Sequence, residues 1–366
     1  MGGRGGSSHR RTGGGLSSLA TTAQVSDWIR RQHWFRPYAL VNLDGVDVVA
    51  AREIAAAYQQ VFDRYPQLIG AFSGVKSFDL GNGVYADCNL QTGQIRVSDT
   101  MYRNAQALAR QYASDIRSNW HPAGTDWQAI ITHEIGHAID GFISQKLDVG
   151  GRSFYRDWYQ SSAMLQKKVA DKLNIAPTRD RISKEVSRYG ASNTAEWFAE
   201  AFAEGMRSST PRRMAVELMK ELDEIYSTLG RAVKLNKSLL LLSRIENGQY
   251  TESEDVSVDE ILENLLPDLM DIYEHKQVRL LRKQGEQPFI IRCNHSLAQI
   301  LVSNLVKNAL LHNADGGELQ ILTTPDSLVI KNTGDTPLDG EKLFRRFYHS
   351  IDGKKDSTGL GLAIAL

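Results

Sequence analysis

The spacing of apolar side chains divides the chain into a helical first part and a mixed second part. From Asp44 to Tyr65 an Ala-rich stretch brings Val49, Ile54, Ala57 and Val61 onto one face, which predicts an amphipathic helix. Val84 to Val97 reads as a hairpin, with Gln91-Thr92-Gly93 at its turn. A helix is predicted from about Tyr102 to Ser118, and His121-Pro122-Ala123-Gly124 breaks it. Thr125 or Asp126 can cap the next one, and two more cover about Tyr155 to Leu173 and Thr194 to Met206. Thr210-Pro211 starts a helical pattern that runs to Asn247-Gly248 with no breaker except Gly230. That length suggests a coiled-coil element or a seam between two units. After Gly248 the texture changes. Phe289 to Arg292, Leu319 to Leu322 and Leu328 to Ile330 read as strands flanking a helix from about His295 to His312.

A chain of 366 residues can hold two or three domains, each with its own core. Lys+Arg and Asp+Glu both number 43, and this balance gives no reason to expect nucleic acid as a partner. No segment approaches the ~20 apolar residues of a membrane span. Leu239 to Leu242 is only one turn of an amphipathic helix. The Gly/Ser/Arg-rich start lacks the apolar stretch of a signal peptide, so residues 1–24 read as a disordered tail and the location as cytoplasmic. Cys88 and Cys293 stand far apart, as free thiols of a reducing compartment would.

Candidate chemistry begins at His133-Glu134-Ile135-Gly136-His137, the pattern H-E-x-x-H inside an apolar helix. Residues four apart share a helical face, so both imidazoles can reach one metal ion. Imidazole suits Zn²⁺, and the adjacent glutamate can take a proton from a metal-bound water. Downstream, Glu196, Glu200 and Glu204 recur every four residues among Trp197, Phe198, Ala199, Ala201 and Phe202. Carboxylates in so apolar a setting are costly unless a metal or a counter-charge meets them. The helix from His133 to Asp140, the Tyr189-Gly190 pair and the run Glu196 to Phe202 resemble the catalytic domain of anthrax lethal factor and related glutamate-zincin (gluzincin) peptidases. The resemblance covers roughly Asp126 to Arg207. It implies a mainly helical zincin-type domain over residues 25–222 that binds Zn²⁺ through His133, His137 and Glu196. It further implies Glu134 as general base, Tyr189 as donor to an oxyanion, and Glu200 and Asp140 as residues orienting the ligands. A peptide or protein substrate would follow, aligned on the predicted hairpin.

From Tyr226 onward the chain resembles bacterial sensor histidine kinases. Leu235 to Gly248 looks like the second helix of their dimerisation hairpin, here a remnant over 223–250 through which the 211–247 helix would self-associate. Asn304-Leu305-Val306-Lys307-Asn308 looks like the N box, Leu343 to Tyr348 like the F box, and Ser357 to Ile364 like the glycine box. The resemblance implies an ATP-binding domain over 251–366, a partial α/β-sandwich, with Mg²⁺ and phosphates held by Asn304 and Asn308 and by the amides at Gly359 and Gly361. The adenine box departs from the pattern: it reads Asn332-Thr333-Gly334-Asp335, with Asn332 in place of aspartate and the second glycine absent. The phosphoacceptor box is missing, and the chain stops just after the glycine box. These departures predict weak ATP·Mg²⁺ binding and no kinase activity.

The resulting expectation is an α+β chain, a zinc endopeptidase joined to a truncated histidine-kinase-like module. Three alternatives stand beside it. One is a regulatory ATP-binding protein whose zinc helix only sets structure. Another is a phage-head component associated with virions, suggested by the glycine-rich opening. The third is an artificial joining of two genes, because the seam near Leu218 to Leu229 falls inside one helix.

Overall fold

The structure, a computed structural model, describes residues 15–147 and 160–334. The chain divides into two compact units, Met1–Ser227 and Thr228–Leu366. Both mix helices and strands, so the α+β class holds.

In the first unit α1 (Thr22–Arg31) starts at a capping box made by Thr21 and Gln24, and it buries Val25 and Ile29. It begins inside the stretch read from sequence as tail. After β1 (Leu40–Asn42), helix α2 (Val48–Arg64) is capped by Asp47, whose Oδ1 accepts from the Val49 amide at 2.9 Å. Strands β2 (Gly74–Phe78), β3 (Ala86–Asn89) and β4 (Gln94–Ser98) follow. The sheet order is β1-β2-β4-β3, parallel except for β3, which pairs antiparallel with β4 at one edge. The predicted hairpin is therefore real, but it belongs to a mixed sheet. The short β1 and the Gly-led β2 carry too little alternation to announce themselves.

Helices α3 (Ala105–Arg117), α4 (Ala129–Leu147), α5 (Gln160–Leu173), α6 (Arg179–Glu185) and α7 (Thr194–Arg207) complete the unit with the first half of α8 (Arg213–Glu246). α4 is buried almost all round, through Ile130, Ile131, Ile135, Ala138, Ile139 and Ile143. It packs against α7 at close range. A Cβ added to Gly136 would stand 3.0 Å from the Ala199 Cα, so only glycine lets the two backbones approach this far. The α8 residues Met214, Leu218, Leu222 and Tyr226 lie in the same core. Gly230 does not interrupt α8, and the division between the units falls within it.

The second unit contains β5 (Glu254–Ser257), α9 (Val258–Ile272), β6 (Arg279–Gln284), β7 (Ile290–Cys293), α10 (His295–Leu311), β8 (Glu318–Thr324) and β9 (Ser327–Asn332). β5 pairs antiparallel with β7, and β8 lies between a parallel β6 and an antiparallel β9. Val256, Ile261, Leu262, Val302, Val306, Leu310, Leu319 and Ile321 form its core. At its centre Asp259, buried on the first turn of α9, accepts from Thr323 Oγ1 (2.6 Å) and the Phe289 amide (2.9 Å), which ties helix to both sheets. No helix of the described residues is long and apolar enough to cross a membrane. The stretches 343–348 and 357–364, with Gly359 and Gly361, lie outside the described residues.

Candidate functional site

In the first unit, α4 and α7 bring the widely separated residues together. His133 and His137 stand one turn apart on α4, and Glu196 enters from the first turn of α7, where Asn193 caps the helix by accepting from the Glu196 amide at 2.9 Å. His133 Nε2 and His137 Nε2 are 3.1 Å apart, and Glu196 Oε2 lies 3.2 Å from each. A tetrahedral zinc ion with bonds of about 2.0–2.1 Å sets its ligand atoms about 3.3 Å apart. The triangle matches that spacing, so the three residues fit a small divalent metal. Among the described residues this is the group of histidines and carboxylates placed to hold one.

Charge and burial set the protonation of these side chains. Burial alone would make His133 easier to deprotonate, but bonds from Glu196 and Glu200 outweigh it and raise its pKa well above the usual imidazole value. Burial pushes Glu196 upward, and the two imidazoles more than offset this, leaving it strongly acidic. Glu134 is buried beside His133, and desolvation raises its carboxyl despite the two histidines. Tyr189 stacks on the His133 ring at 5.8 Å, and its hydroxyl is pushed up by burial and then by the Glu196 charge.

Glu200, one turn after Glu196, is wholly buried. Its Oε1 lies 2.8 Å from His133 Nδ1 and 3.1 Å from His121 Nδ1, and its Oε2 accepts from Ser187 Oγ at 2.7 Å. Glu200, expected from the sequence to orient a histidine, lies beside two of them, His133 and His121, and neither His121 nor Ser187 is marked in the sequence. Nothing in their spacing singles them out, because loops deliver both. Asp140 is buried too, yet it turns to the hydroxyl of Ser161, and burial pushes its carboxyl up to about 6. A cavity of about 750 Å³ opens beside this cluster, bounded by Tyr85, Tyr112, Trp120, His133, Glu134 and Tyr189.

In the second unit Asn304 and Asn308 lie one turn apart on α10, both half-buried. Asn332, the last residue of β9, donates from Nδ2 to the His312 carbonyl at 3.2 Å, joining the strand end to the end of α10, and Gly334 follows in the open. Lys276 was unnoticed in the sequence. Its buried ammonium donates to the carbonyls of Leu310 (2.9 Å), Leu311 (2.6 Å) and Asn313 (2.9 Å), closing the C-terminal end of α10 with a positive charge.

No family model matches the chain. Similar curated proteins are the heme sensor protein HssS of Staphylococcus saprophyticus (26% identical, 39% of this chain, 32% of that protein) and the sensor histidine kinase RppB of Synechocystis (32%, 37% and 32%). The sensor histidine kinase TrcS of Mycobacterium tuberculosis is 30% identical over 40% of this chain and 30% of its own. The chain thus spans about a third of the length of the curated relatives it matches. Similar solved structures are the mycobacterial sensor histidine kinase MprB (21% identical, TM-score 0.27, 31% of this chain, 76% of that one) and the Acinetobacter baumannii histidine kinase AdeS (22%, 0.30, 42% and 70%).

The curated relatives support the histidine-kinase-like reading of the C-terminal region, and with it ATP and Mg²⁺ as ligands of that kind of module. They overturn the expectation of a zinc metalloendopeptidase that lacks kinase activity, together with the hydrolase and protease description that went with it. The zincin-type domain, the peptide substrate and the virion association find no support among them. The physical reason lies in what each pattern encodes. Five residues on a helix determine where two imidazoles point and carry nothing of a substrate or a reaction. A match over about 150 residues spans a region the size of a domain.

Proposed function

We propose that the second unit is the nucleotide-binding part of a sensor-kinase-type catalytic module, which binds ATP·Mg²⁺ and passes the γ-phosphoryl group to a histidine. The observation that carries this reading is the pair Asn304 and Asn308, half-buried one turn apart on α10 within the region that sensor kinases match. Amide oxygens at that spacing can hold Mg²⁺ against phosphates, and Asn332 Oδ1 can accept from the adenine amino group because its Nδ2 is already engaged. α8 carries no histidine, so the acceptor imidazole lies elsewhere in this chain or on a partner. Phosphoryl transfer depends on positioning, and α10 closed by Lys276 supplies a rigid platform. The test is competition of ATP against a fluorescent nucleotide on the full chain. Binding that weakens at least tenfold in Asn308→Ala supports the reading, and no binding at millimolar ATP defeats it. Acid-labile label from γ-labelled ATP, mapped to a histidine, tests the transfer.

A second reading concerns the first unit alone. We infer that His133, His137 and Glu196 hold one divalent transition metal of the zinc type, because three donor atoms 3.1–3.2 Å apart match a tetrahedral ligand set. The bound ion would supply a Lewis-acid centre, with Glu134 and Tyr189 at its edge and Asp140 supporting α4 from behind. Elemental analysis of the dialysed protein should give about one equivalent, and His137→Ala should lose it. Equal metal content in both proteins rules this reading out.

A further inference from the structure

His121 belongs to neither reading as it stands. It lies in the loop between α3 and α4, only 8% exposed. Its ring is clamped, stacked on Tyr112 (4.8 Å, 15°) and edge-on to Tyr189 (5.8 Å, 82°). The backbone around it is held as well, since the amides of Arg188 and Tyr189 donate to the carbonyls of Asn119 (2.8 Å) and Trp120 (3.1 Å). From this fixed position Nδ1 meets Glu200 Oε1 at 3.1 Å. Its Nε2 is buried with no partner, so the tautomer with the proton on Nδ1 strands no N–H group.

The carboxylate it meets is 1% exposed. A carboxylate there needs its donors. Ser187 Oγ serves Oε2 and is itself fixed by the Gly190 amide at 2.8 Å. Oε1 lies between His121 and His133, so the same oxygen that holds His133 Nδ1 is held in turn by His121. His133 Nδ1 meets that oxygen at 2.8 Å as an ion pair rather than through a well-aligned hydrogen bond.

We propose that His121 is a positioning residue of the metal centre. By donating to Glu200 it keeps Oε1 against His133 Nδ1, so that His133 turns its Nε2 lone pair to the metal. This inference rests on the metal-binding reading of the first unit. Outer partners of ligating histidines set ring orientation and basicity, and their loss commonly weakens metal affinity about 10–100-fold. A ring that served only to fill space between Tyr112 and Tyr189 would respond differently to substitution.

Three substitutions separate these roles in the full chain. The amide nitrogen of His121→Asn stands where Nδ1 stands, that of His121→Gln reaches toward Nε2, and His121→Phe keeps the aromatic stack without a donor. Dissociation constants for Zn²⁺ and Co²⁺ are measured by competition with a chromophoric chelator, with folding checked by circular dichroism. His121→Asn should stay within about threefold of wild type, while His121→Gln and His121→Phe weaken about 10–100-fold. His121→Gln keeps a polar side chain, so it decides the matter should His121→Phe fail to fold. Wild-type affinity in a folded His121→Phe or His121→Gln overturns the inference, as does His121→Asn binding as weakly as the other two. If wild type binds metal and the variants bind equally, only the role of His121 falls. If wild type binds neither ion, the metal reading falls and this inference with it.

Discussion

Gly141 sits on α4 one turn beyond His137, and its missing side chain should matter more than helix propensity. A Cβ built there would stand 2.5 Å from the Leu90 carbonyl oxygen and 3.3 Å from its carbon. Ordinary C···O contacts begin near about 3.3 Å, so the carbonyl would have to withdraw by about 0.8 Å. That oxygen also accepts from Gln145 Nε2 at 3.0 Å, which fastens the β3–β4 turn to α4. Gly141→Ala gains about 1 kcal/mol of helix propensity. Against this stand about 1–3 kcal/mol of overpacking and about 1 kcal/mol for the displaced hydrogen bond. The net expectation is a loss of about 1–3 kcal/mol. Gly205→Ala in α7 is the control. There the nearest atoms are Cγ and Sδ of Met219, and a methionine side chain can swing aside. Its net effect should stay within about 1 kcal/mol. All six tryptophans lie in the first unit, so urea unfolding followed by tryptophan fluorescence reports on that unit alone. A Gly141→Ala protein as stable as wild type would refute the reasoning.

Other consequences follow for charge. Lys276→Met removes the three hydrogen bonds that its ammonium gives to carbonyls at the end of α10 and should cost the second unit on the order of 3 kcal/mol, read as a lowered calorimetric transition that tryptophan fluorescence does not see; an unchanged transition contradicts the cap. Burial pushes the Glu200 carboxyl up, but bonds from His121 and then His133 bring it down to about 2, so its stabilisation is complete above about 4.5 and lost as pH falls from there toward 2. In Glu200→Gln that acid-dependent loss in the first unit should flatten by up to about 3 kcal/mol, and an identical pH profile would show that Glu200 is not the group titrating. A metal must displace the proton that Glu196 and Glu200 hold on His133, so zinc affinity should fall as pH is lowered, by about tenfold per pH unit where His133 is protonated, and a flat profile would speak against metal at this histidine.

The long amphipathic elements were legible because their periodicity is local. α2, α3, α7 and α10 each carry a repeating apolar face, and the alternation of β4 and β8 is readable from a few residues. α1, α9 and β6 escaped notice for different reasons. α1 follows a stretch whose composition signals disorder, although its Thr21–Gln24 capping box stands in the sequence. α9 contains Pro267, which argues against a helix until the burial of Leu262, Leu266 and Leu269 is seen to outweigh the lost hydrogen bond. β6 is rich in Arg, Lys and Gln, and its membership in the sheet comes from pairing with β8 rather than from its own pattern.

The candidate sites divide along the same line. His133 and His137 were visible because both lie on one helix face, and Glu196 because a carboxylate stripe in an apolar helix demands a partner. His121 and Lys276 were invisible. Their roles arise only where a loop or a helix end meets a group far away in sequence: Glu200 lies 79 residues from His121, and Leu310 lies 34 residues from Lys276. Such residues cost energy when buried alone, and that cost is what marks them once the structure is known. A buried imidazole with one nitrogen satisfied and a buried ammonium with three carbonyls are each intelligible only as supports for something else. In the first unit the supported group is the carboxylate behind His133. In the second it is the helix that carries Asn304 and Asn308. One support acts through a ligand's partner and the other through the helix that presents the candidate ligands, so the substitutions that probe them should shift binding affinity while leaving the residues that touch metal or nucleotide in place.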